Sequence, residues 1–127
     1  MIWIAVDPKG TCYVYDELWI DKTVKEISEI IKAKEDGAVI RARFIDSISA
    51  TPDRITGTSP QREFARHGLH FRSSTKNWIL GLNACREYLR LGTDGNPGIY
   101  FMRQRVDNCC HAISRYQWDE FSGSREG

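Results

Sequence analysis

The tetrapeptide Asp7-Pro8-Lys9-Gly10 separates two runs rich in β-branched and aromatic residues, Ile2 to Val6 (IWIAV) and Cys12 to Ile20 (CYVYDELWI). Proline presets φ at the first corner of a turn and glycine tolerates a positive φ at the last. The chain is therefore turned back on itself, and the two runs are expected to pair as an antiparallel hairpin. The turn accounts for Asp7 without chemistry. A chain that begins with such a hairpin and continues with helices must bury one face of a sheet under them.

Helices and strands do alternate downstream. Thr23 with Glu26 forms a capping-box pattern, and Val24, Ile27, Ile30 and Ile31 make an apolar stripe at helical spacing. Gly37 stops that helix. Val39, Arg41, Arg43 and Ile45 then alternate with Ile40, Ala42, Phe44 and Asp46 in a run rich in branched and aromatic residues, which predicts a strand ending at Asp46, and a Ser/Thr/Pro/Asp loop follows it. Ser59-Pro60 opens a short helix that Gly68 closes. Leu69 to Phe71 reads as a brief strand, Trp78 to Leu91 as an amphipathic helix, Ile99 to Met102 as a strand and Val106 to Trp118 as a helix. The order β-β-α-β-α-β-α-β-α predicts an α/β fold: a mixed β-sheet flanked by helices.

With 127 residues the chain suits a single domain over residues 1–127, residues 121–127 having the composition of a tail. Its 18 basic and 17 acidic residues nearly cancel, so charge alone points to no nucleic-acid partner. Arg62, Arg66, Arg72 and Lys76 are nonetheless close in sequence, as are Arg103 and Arg105. The four cysteines follow no secretory leader, and no apolar run is long enough to cross a membrane, so reduced thiols in a cytoplasmic protein are expected. Cys109-Cys110-His111 lacks the spacing of a zinc site. Phosphate-loop, GxSxG and HExxH patterns are absent.

Asp46 is the first candidate site residue. Ligands of open α/β sheets bind outside the carboxyl ends of the strands, and an acid at a strand end is well placed to hold a metal ion. The alternative is that Asp46 only caps the loop amides that follow it. Trp3, Trp19, Trp78 and Trp118 read as core and sheet-face residues, too scattered for a base-stacking track.

Four stretches together resemble the nuclease domain of phage terminase large subunits, the DNA-packaging enzymes of tailed phages. They are IAVDPKGTCYVYDELWID, FIDSISATPDRITGTSPQREFARHGLHF, KNWILGLNACREYLR and GIYFMRQRVDNCCHAISRYQWDE, spanning Ile4 to Glu120. That domain is RNase H-like, and its element order agrees with the one above. The resemblance implies a hydrolase: a metal-dependent endonuclease that cuts double-stranded DNA during packaging, in the cytoplasm of a bacterial host, encoded by a phage or prophage. It implies Mg²⁺ or Mn²⁺, with two ions about 4 Å apart activating water and steadying the leaving oxygen. Its implied partners are the terminase ATPase domain, the small subunit and the portal. Asp46 matches a metal-binding acid of the family, and Asp53, Asp119 or Glu120 could supplement it, the alternative for all three being solvated surface. Arg72, Lys76 and Asn77 could approach the DNA backbone; the alternative is capping of the helix by Ser74 or Thr75 beside a solvated Lys76.

In the family another acid lies on a strand before the hairpin, and a further acid follows the tyrosine-tryptophan stretch. Neither is present here, so the expectation is a central part of a nuclease domain, lacking its first strand and C-terminal segment and inactive alone. A homodimer through an exposed sheet edge is then expected. Two alternatives share the fold: a catalytically inactive remnant serving as an interaction module, and a nuclease of the resolvase or transposase type.

Overall fold

The computed structural model describes residues 1–75 and 77–116. Its element order is β1 (Ile2–Val6), β2 (Cys12–Glu17), α1 (Val24–Lys34), β3 (Phe44–Ile45), a 3₁₀ turn (Ser47–Ala50), α2 (Pro60–Arg66), β4 (Arg72–Ser73), α3 (Trp78–Leu89), β5 (Ile99–Phe101) and α4 (Asp107–Ser114). The expected alternation of strands and helices is present, and the class is mixed α/β. Contacts gather into two compact units, residues 1–19 with 85–116, and residues 20–84.

The first unit is built on the hairpin. β1 and β2 pair antiparallel, and β5 adds to β2 in parallel, giving the order β1-β2-β5. Asp7 is consumed by the turn: its carboxylate accepts from the Lys9 and Thr11 amides at 2.9 Å each, and Gly10 takes φ +88°. Trp3, Val14 and Val106 are the buried core. Tyr13 and Tyr100, opposite each other on β2 and β5, stack with centroids 5.6 Å apart. Burial and the nearby Asp7 carboxylate push the Tyr13 phenol above its ordinary range.

Helix α4 has no cap from its own sequence. Its first amides are satisfied from β2, where the Glu17 carboxylate accepts from Asn108 at 3.0 Å and Cys109 at 2.8 Å. An anion there also meets the positive end of the helix dipole. Burial, then Cys110 and Glu17, raise the Cys109 thiol above its usual range, and all four cysteines are free. Glu17→Ala is expected to lower stability by about 1–2 kcal/mol, the worth of a lost cap, with Glu17→Gln recovering part of it. Urea midpoints of the two variants check this; equal midpoints for wild type and Glu17→Ala would refute it.

In the second unit Thr23 caps α1 by accepting from the Glu26 amide at 3.2 Å, as the sequence predicts. The inward face of α1 carries Val24, Ile27, Ser28 and Ile31, and the helix packs on α2. Ser59 caps α2 through the Arg62 amide at 3.2 Å, with Pro60 in the first turn. Gln61 then ties α2 to β4: its Nε2 donates to the Phe71 carbonyl at 2.9 Å, and its Oε1 accepts from Ser73 Oγ at 3.0 Å. Phe64 and Phe71 pack with centroids 5.1 Å apart.

Several expectations need correction. The strand expected from Val39 to Asp46 is only Phe44–Ile45, because its partner β4 is two residues long and Val39, 92% exposed, has nothing to pack against. The strand expected at Leu69 to Phe71 lies at Arg72–Ser73; Leu69 is instead buried in the core. Strands β3 and β4 form their own parallel sheet, separate from the other three strands, where a single sheet was expected. Helix α4 starts at Asp107 rather than Val106. Of the tryptophans expected in the core or on a sheet face, Trp3 is buried, whereas Trp19 and Trp78 are exposed and Trp118 lies outside the described residues.

Candidate functional site

The parallel pairing of β3 and β4 brings the carboxyl ends of two strands side by side. Arg72 N–H donates to the Arg43 carbonyl at 2.7 Å and Ser74 N–H to the Ile45 carbonyl at 2.8 Å, which fixes the register. Asp46 leaves β3 and Ser74-Thr75 leave β4 at the same edge. There, with Ile48 and Trp78, they line an open cleft of about 390 Å³. This is the place where open α/β sheets bind ligands.

Asp46 caps the 3₁₀ turn. Its Oδ1 accepts from the Ile48 amide at 3.0 Å, so the capping role weighed from the sequence is real. The cap uses one carboxylate oxygen; no described residue hydrogen-bonds to Oδ2. Capping and ligand binding are therefore compatible.

Asp53 does not line this cleft. Its Oδ1 accepts from the Ile55 amide at 2.8 Å and the Thr56 amide at 3.0 Å, an Asx turn within its own loop. The Thr56 and Ile55 amides hold its carboxyl below the ordinary range, because they favour the charged form. Arg72 is exposed on β4. Asn77 caps α3, its Oδ1 accepting from the Leu80 amide at 3.2 Å. That corrects the expected cap from Ser74 or Thr75, which line the cleft instead. Lys76, Asp119 and Glu120 lie outside the described residues. Of the clustered arginines, Arg66 pairs with Glu63 at 2.8 Å, and Arg105 approaches Asp16 at 3.8 Å.

Sequence reasoning missed Ile48, Ser74, Thr75 and Trp78 as cleft residues. The Ser73-Ser74-Thr75 run was the available signal: a polar stretch leaving a strand, like the one that leaves β3 at Asp46.

The donor set tests how well a divalent ion fits. Mg²⁺ is held by carboxylates together with water and substrate phosphates. The cleft offers one carboxylate and two hydroxyls, and among the described residues no group of three or more His, Cys, Asp or Glu gathers to hold a metal. The described residues thus supply one ligand and do not by themselves fit a two-ion centre. Nor, among them, is any helix long and apolar enough to cross a membrane. The chain has no significant match among protein families, curated proteins or solved structures.

Proposed function

We propose that the chain is part of an RNase H-like nuclease domain of the phage-terminase type, with Asp46 contributing one carboxylate to a divalent-metal site that acts on double-stranded DNA. The observation that carries this reading is the position of Asp46, at the carboxyl end of β3 and on the rim of a cleft shared with the parallel strand's end. The element order and the four resembling stretches support it. Mg²⁺ or Mn²⁺ would supply the Lewis acidity for phosphodiester hydrolysis; Asp46 would give it one carboxylate, beside the cleft residues Ser74 and Thr75. Arg72, exposed on β4, and Lys76 just before α3 add phosphate contacts that raise affinity without reading sequence. The remaining carboxylates come from outside the described residues, where Asp119 and Glu120 lie. In this reading the implied partners are those of packaging: an ATPase domain, a small subunit and a portal, in a bacterial cytoplasm.

Titration of Mn²⁺ into wild type and Asp46→Asn by calorimetry, with plasmid nicking on the same samples, tests the assignment. Asparagine keeps the acceptor for the Ile48 amide and removes only the charge. The wild type is expected to bind weakly, with Kd on the order of 1 mM for a site with so few charged ligands. The variant is expected to lose that binding at least tenfold, and the chain alone not to nick DNA. Identical heats from the two proteins would sink the role of Asp46.

A second reading, an interaction module without catalysis, draws on the surface of α3. Trp78, Ile79 and Leu80 there are each more than half exposed. Silence of both proteins towards Mn²⁺ would favour it.

A further inference from the structure

The sheet β1-β2-β5 has two edges of different character. β5 is three residues long, a short edge of the kind that resists association. β1 is five residues, IWIAV, without a charge, a proline or a glycine. Ile2, Ile4 and Val6 recur at alternate positions and are 43%, 47% and 62% exposed.

Their backbone groups face outward as well. At one end Asp7 N–H donates to the Thr11 carbonyl at 2.9 Å, and at the other Leu18 N–H donates to the Met1 carbonyl at 2.8 Å. Residues 1 and 7 therefore point at β2. In an extended strand the direction of the polar groups alternates, so Ile2, Ile4 and Val6 present theirs to the open side. The irregularity between Trp3 and Ile4 places its extra residue, Tyr15, on β2, leaving β1 itself unbroken.

We propose that β1 is the contact of a homodimer, pairing antiparallel with β1 of a second copy about a two-fold axis at Ile4. A two-fold axis makes the strand its own complement. Ile4 then lies opposite its own copy and Ile2 opposite Val6 of the partner subunit. Each such pair exchanges two N–H···O=C bonds. Charge selects this arrangement. A parallel pairing would bring the Asp7 carboxylates together, whereas the antiparallel register separates them by about 20 Å, six residues of extended chain. With no charge between Ile2 and Val6, no like-charge contact opposes it. Two three-stranded sheets become one continuous six-stranded sheet.

Sedimentation equilibrium from about 1 µM to about 500 µM tests this. Wild type is expected to dimerise with Kd in the micromolar range, as befits an interface below about 1,200 Å². Ile4→Lys, which sets two ammonium groups opposite each other, is expected to weaken the dimer at least tenfold. Its circular dichroism should remain that of wild type, because the position is exposed. The register has its own test. Ile2→Lys and Val6→Glu are each expected to weaken the dimer, and the two combined to restore it by pairing opposite charges across the axis. A wild type that stays monomeric throughout the range would overturn the proposal. So would a dimer indifferent to Ile4→Lys, or the absence of rescue in the combined variant, either of which would place the contact on another surface or in another register.

Discussion

Replacing Arg43 by alanine is expected to lower stability by about 2–3 kcal/mol. Arg43 Nε donates to Glu35 Oε1 at 3.3 Å and its Nη2 to the other oxygen of the same carboxylate, a two-point clamp. The Glu35 side chain is only 6% exposed and that of Arg43 22%. Removing the guanidinium leaves a carboxylate out of water, and the loss from an uncompensated buried charge exceeds what the pair contributes. One feature keeps the figure at the low end: Arg43 is partly solvated. The consequence is local to the site. Glu35 closes α1 and Arg43 enters β3, so the clamp sets where the strand leading to Asp46 begins. Urea unfolding should show the midpoint falling with an unchanged m-value. Glu35→Leu combined with Arg43→Met should recover most of the loss, since an apolar pair of similar size leaves no buried charge. A single Arg43→Ala cost below about 0.5 kcal/mol would show the clamp to be a surface pair in effect.

Ile31→Ala is expected to cost about 3 kcal/mol, within the range for a truncated core isoleucine. Ile31 is 1% exposed on the face of α1 that meets α2. The loss combines the transfer of the missing methylenes with the cavity they leave, because packed neighbours relax only partly. Ile55, an isoleucine of the same unit that is 94% exposed, supplies the comparison: Ile55→Ala should change stability by less than about 0.5 kcal/mol. The difference has a bearing on the cleft. α2 packs on α1 and on the 3₁₀ turn that Asp46 caps, so loosening α1 should loosen that turn. Hydrogen exchange at the Ile48 amide, which donates to Asp46, should rise in Ile31→Ala; unchanged protection would separate the core from the site.

These residues mark the boundary of what a one-dimensional reading reaches. Thr23, Ser59-Pro60 and Asp7-Pro8-Lys9-Gly10 were legible because their bonds close within a few residues. The stripe on α1 was legible because helical periodicity repeats inside one element. Glu35 was not. It lies near a Gly stop and reads as a solvated helix end, and only the approach of Arg43 makes its burial tolerable. Glu17 is a similar case, an acid in a strand whose role is set by amides 91 and 92 positions away. The cleft was half legible: Asp46 could be found as a strand-end acid, but Ser74 and Thr75 join it only because β4 runs parallel to β3.

The sequence by itself determined the order of elements, the caps of α1 and α2, the turn at Asp7-Pro8-Lys9-Gly10, and the identity of Asp46 as the acid that ends a strand. Those outcomes follow from interactions with short closure, whose entropy cost is small and whose signals are local. The tertiary structure alone decided that the strands divide into two sheets, that the strand before Asp46 shortens to two residues, and that α3 leaves Trp78, Ile79 and Leu80 more than half exposed. It also decided that β1 is an edge among the described strands. Each of these depends on which distant segment supplies the partner for a hydrogen bond or an apolar face, and no local pattern encodes that choice.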